Sequence, residues 1–96
     1  MIHSMSITRE SAYLYLCSKE LAKINKKLHQ QSQESHKLAQ KYHQAADEGT
    51  RVKFWKKRHH AAEEMKKLMK EHNALLSRIK HHLVNFNNAL RKELKQ

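Results

Sequence analysis

The chain contains no proline and a single glycine, Gly49, among 96 residues. The two residues that most often interrupt regular structure are therefore nearly absent. Valine and threonine are scarce, so no segment shows the β-branched alternation of a strand. Leu, Lys, Glu, Gln, Ala and Met dominate instead, and all are strong helix formers. These proportions predict an all-α protein with a single domain over residues 1–96.

Long apolar runs are missing too. The run Ala12 to Cys17 is six residues, too few for a signal-peptide core or a membrane span. Leu16 stands where a lipoprotein cleavage box needs a small residue, and the expectation is a cytoplasmic protein. One cysteine, Cys17, excludes an internal disulfide; its place on a helical core row predicts a buried thiol. The chain has no glycine-rich phosphate loop and no Ser–His–Asp pattern in loop context. No residue is therefore assigned a catalytic role, no cofactor is expected, and the chain reads as a non-enzyme.

Acidic residues are the last scarcity. Twenty Lys and Arg face nine Asp and Glu, for a net charge of +11 with neutral histidines. The excess is uneven: residues 1–48 hold seven basic and five acidic side chains, residues 49–96 thirteen and four. Such a basic half suits nucleic acid, acidic protein surfaces or anionic membranes, although excess charge also keeps a small protein soluble.

Two apolar series organise the chain. Ile7, Leu14, Cys17, Leu21, Ile24, Leu28, Leu38, Tyr42 and Ala45 recur at alternating steps of three and four, with Gln31 and Ser35 on the same series. This heptad-like pattern predicts a helix over about 7–48. Val52, Trp55, Ala62, Met65, Met69, His72, Leu76, Ile79, Leu83, Phe86, Leu90 and Leu94 form the second series, widened on one side by Leu68 and Leu75. A second helix is expected over about 51–94. Between them Gly49 suits the left-handed residue that closes a helix, and Thr50 suits the N-cap of the next.

So short a break predicts a long antiparallel hairpin with residue i opposite about 99 − i. Leu14 then faces Phe86, Ile24 faces Leu75 and Leu38 faces Ala61. No apolar residue lies between Leu28 and Leu38, so the alternative is a three-helix arrangement with a break near 30–36. The unchanged heptad phase favours continuity. Consecutive apolar residues from Tyr13 to Cys17 cover the whole circumference of the first helix, more than one partner helix can bury. A homodimer forming a four-helix bundle is expected, with Tyr13, Tyr15, Leu16, Val84 and Phe86 as interface candidates.

Nine histidines raise the question of a metal. His29, His36 and His43 repeat every seven residues, two helical turns and roughly 10 Å apart, too far to share an ion. No metal site is assigned. The stretch 49–60 concentrates five fixed positive charges within eight residues. Arg51 and Lys53 fall in the expected first turn of the second helix, where the unpaired N–H groups favour acids. Arg51, Lys53, Lys56, Lys57, Arg58, His60 and Lys67 are the polyanion-binding candidates, with Glu63 and Glu71 interrupting their face. Phe54, on the core stripe, and Trp55, at its edge, are expected to serve the core or an interface rather than to stack on bases.

The functional expectation is a helical interaction or adaptor protein that self-associates and docks a protein partner through bundle or basic surfaces. The alternative is a nucleic-acid-binding protein using the cluster at 51–60 and the lysines of the second helix. The short recognition helix and tight turn of helix-turn-helix readers are absent, and membrane insertion of the tip is disfavoured.

Overall fold

A computed structural model describes residues 2–95, with side chains from Ser6 onward. Two helices, α1 (Ile2–Gln44) and α2 (Glu48–Leu94), pack as a hairpin. No strand occurs among the described residues, and α1 runs without interruption through 30–36, so the three-helix alternative does not apply. The polar positions Gln31 and Ser35 keep their place on the seam and are half-buried.

The turn differs from the expected one. Residues 45–47 join the helices, and Gly49 and Thr50 lie inside the first turn of α2. No described residue has positive φ, so Gly49 does not close α1. Asp47 is the cap instead. Its carboxylate accepts hydrogen bonds from the Thr50 hydroxyl and backbone N–H, which hold its pKa below the ordinary 3.8. Its carbonyl accepts from the Arg51 N–H at 3.1 Å. A carboxylate caps more strongly than glycine because it satisfies the unpaired donors of the first turn.

The starting point of α2 removes one anomaly. With Asp47 at the cap and Glu48 in the first turn, acids occupy the positive end of the helix, as its dipole favours. Lys53, Lys56, Lys57 and Arg58 lie further along, where that penalty fades.

The core is narrow. Along α1 the inward residues are Ile7, Glu10, Leu14, Cys17, Leu21, Ile24, Leu28, Gln31, Ser35, Leu38, Tyr42 and Ala45, all buried or half-buried. This is the expected series, with the acid Glu10 filling its gap. Along α2 the seam is Phe54, Arg58, Ala61, Met65, Leu68, His72, Leu75, Ile79, His82, Phe86 and Ala89. Here the expected series is corrected. Met65, His72, Ile79 and Phe86 lie on the seam, whereas Val52, Trp55, Ala62, Met69, Leu76, Leu83, Leu90 and Leu94 are exposed. Leu68 and Leu75, placed at the margin by the periodicity, belong to the centre.

Compactness divides the chain into two units, each built from a segment of both helices: Met1–Lys23 with His72–Gln96, and Ile24–Glu71. We call them the terminal unit and the turn unit. Cross-helix contacts keep within one residue of the expected register at Tyr42 and at Glu20 and depart from it nearer the chain termini, where Glu10 meets His82, seven residues short. In the turn unit Tyr42 meets Arg58, and in the terminal unit Glu20 meets Arg78. Tyr13 reaches His82, four residues short of the simple rule.

Candidate interaction surfaces

In the turn unit, the structure separates the basic candidates by what each side chain touches. Arg51 donates to the Ala45 carbonyl at 3.4 Å, satisfying an acceptor just beyond the end of α1. Arg58 is half-buried on the seam with its guanidinium 5.0 Å from the centre of the Tyr42 ring. The Lys57 ammonium lies 5.6 Å from the Phe54 ring, whose other cationic neighbour is Lys41 at 5.9 Å. Lys67 pairs with Glu64 at 3.9 Å, and the adjacent Lys66 pairs with Glu63 at 3.4 Å. Lys56, Lys57 and His60 line a groove whose floor is Leu38 and Ala61 and whose walls include Glu34 and Glu64. The two acids offset much of the positive potential there. Lys53 and Lys56 make no ion pair among the described residues.

The two aromatics part company. Phe54 is half-buried on the seam, as expected, but Trp55 is 54% exposed. Its indole lies nearly parallel to the His59 ring, at 9° with centroids 5.7 Å apart. The pair joins residues one helical turn apart, a spacing that brings side chains over one another. Of the two places expected for Trp55, the core is excluded.

The terminal unit contains an arrangement not expected from the sequence. Glu10 is buried, and its carboxylate accepts from Nδ1–H of His82 at 2.6 Å. Tyr13 stacks on His82 at 4.8 Å, and His81 meets the same ring edge-on. On one flank of the seam Arg78 donates to Glu20 at 2.9 Å. Glu20 thus reaches across to α2 although Lys23 stands three residues on in its own helix. Glu10 falls in the gap of the first series, but His82 lies off the second series, so periodicity carried no signal for the buried pair.

The opposite flank is apolar on α2. Leu76, Leu83 and Leu90 each follow a seam residue by one position, whereas Arg78 precedes one, so they occupy the side away from the ion pair. They are 43%, 46% and 38% exposed. On α1 the matching positions hold Ser11 and Ser18, too small to cover them. Of the expected interface residues, Tyr13, Tyr15, Leu16 and Val84 are exposed, while Phe86 is half-buried on the internal seam.

His29, His36 and His43 are all exposed. Among the described residues no group of three potential metal ligands comes together, and no helix is long and apolar enough to cross a membrane. Comparison with known proteins finds no matching family model, no matching curated protein and no matching solved structure.

Proposed function

We propose that this chain is a non-enzymatic helical interaction protein that self-associates through the terminal unit and docks a partner with the surface left free. The observation that carries the reading is the choice of buried row on α2. The seam facing α1 takes Phe54, Ala61, Met65, Leu68, Leu75, Ile79, Phe86 and Ala89, yet the adjoining row of Ala62, Met69, Leu76, Leu83 and Leu90 is exposed. A second apolar row is thus turned to solvent. A second copy presenting the same row is the occupant we assign to the portion in the terminal unit, as an isologous contact that supports a four-helix bundle.

The area is consistent with this. The chain exposes 7648 Å², about a third more than expected of a folded monomer of its mass. Covering the half-exposed leucines contributes roughly 1 kcal/mol each. Three from each copy, with Tyr15 alongside, reach only the lower end of the ~4–15 kcal/mol cost of association. The proposed dimer is therefore a concentration-dependent equilibrium.

Sedimentation equilibrium tests the reading. Mass should rise from 11.4 kDa toward twice that value with concentration, and Leu76→Glu with Leu83→Glu should hold it at the monomer. Because both side chains lie outside the seam, helicity should survive. A wild-type chain that stays monomeric at millimolar concentration rejects the proposal.

A further inference from the structure

The turn unit sets an exposed aromatic among the lysines of α2. Trp55 lies nearly parallel to the His59 ring with centroids 5.7 Å apart, and 54% of the residue is exposed. Lys56 is adjacent in sequence to Trp55 and one helical turn before His59 and His60. Lys66 and Lys70 continue along α2 from His59, close to the stripe of Trp55, whereas Lys53, two residues before Trp55, projects from nearly the opposite side of the helix. Lys56 and Lys70 have no ion pair among the described residues; Glu63 pairs with the exposed Lys66, and Glu34 and Glu64 share the groove that Lys56 lines.

We propose that this surface binds single-stranded nucleic acid, with an unpaired base on the exposed indole of Trp55 and phosphates along Lys56, Lys66 and Lys70. Two requirements of such binding are met together: an aromatic platform, sequence-tolerant because every base has a π-face, and cations that follow the backbone. An acidic peptide would use the lysines but has no need of the platform. A membrane surface needs a broad apolar face, and the lysines and His59 break up the one around Val52 and Trp55. Arg51, Lys57 and Arg58, engaged within the hairpin, drop out of the site; Trp55 and His59 enter it.

The surface lies in the turn unit and the self-association residues in the terminal unit, so either proposal survives failure of the other. Trp55 is the single tryptophan, so its emission reports the site directly. Titration with an oligothymidylate of about 16 nucleotides should quench that emission, and affinity should fall steeply with added salt. Trp55→Ala, followed by anisotropy of a labelled oligonucleotide, should weaken binding at least about fivefold. Lys56→Glu with Lys66→Glu and Lys70→Glu should abolish it and flatten the salt dependence. Circular dichroism of each variant checks that the exposed substitutions leave the helices intact. The proposal is overturned if the oligonucleotide leaves the emission unchanged, or if Trp55→Ala binds like wild type, as simple attraction to any polyanion predicts. It is equally overturned if phosphatidylserine vesicles shift the emission to the blue while the oligonucleotide does nothing.

Discussion

Glu10 and His82, 72 positions apart in sequence, share a 2.6 Å hydrogen bond in the terminal unit. Their side chains are only 10% and 19% exposed. An acid and an imidazole thus occupy facing seam positions where aliphatic side chains would ordinarily sit. Neither is buried without the other, and their joint presence restricts which residue of α2 lies opposite Glu10.

Removing one member should cost more than removing both. His82→Leu leaves a buried carboxylate without its donor, and a loss of about 1–3 kcal/mol is expected in urea denaturation. The double change Glu10→Leu with His82→Leu exchanges the pair for apolar contact and should recover most of that loss. Additive single effects in the cycle would show that the two groups do not act as a pair.

Adjacent leucines on α2 should behave oppositely. Leu75 is 1% exposed and Leu76 43%. Leu75→Ala is expected to cost about 2–5 kcal/mol through lost burial and the cavity left behind. Leu76→Ala, measured in dilute monomer, should cost under about 1 kcal/mol. Equal losses would mean that the wrong row has been assigned to the seam.

Gly49 offers a test of the turn. A methyl group there meets only Asp47 Oδ2, at 3.8 Å, an ordinary contact. Since Gly49 is helical, Gly49→Ala should stabilise by about 0.5–1 kcal/mol. A left-handed closing residue would give the reverse sign, and thermal denaturation distinguishes the two.

The cap predicts a pH response with a definite sign. The native pKa of Asp47 lies below its ordinary 3.8 because Thr50 hydrogen-bonds the ionised form. Its contribution is therefore present above that ordinary value and is lost as pH falls through the native one. Asp47→Ala should lower the Tm at pH 7, and the difference from wild type should shrink on acidification below about pH 4. A gap between the two that stays constant down to pH 2 would contradict the cap.

Salt should separate the two proposed interactions. Self-association brings together chains of net charge +11, so screening should strengthen it. Binding of a single strand releases counterions and should weaken over the same range. Light scattering and anisotropy measured across one salt series follow both.

Much of this architecture was legible beforehand. Missing breakers and the unbroken phase of α1 implied two helices joined by one turn, and the α1 seam needed only Glu10 to be complete. The turn was misread because Gly49 is a common helix terminator, whereas Asp47 three residues before Thr50 is an equally local capping signal. Among the basic residues, composition alone did not separate Arg58, which lies against Tyr42, from Lys53 and Lys56, which have no such partner.

The identity and phase of α1 follow from sequence alone, because only one of its rows is apolar over most of its length. On α2 two adjacent rows are apolar, and periodicity has no means of choosing between them. The tertiary structure decides, since the partner helix covers one narrow stripe. Burying the row of Leu75, His82 and Ala89 joins His82 to Glu10, sets Arg78 against Glu20 and admits close approach at the alanines. The leucines at 76, 83 and 90 are left uncovered by the same choice.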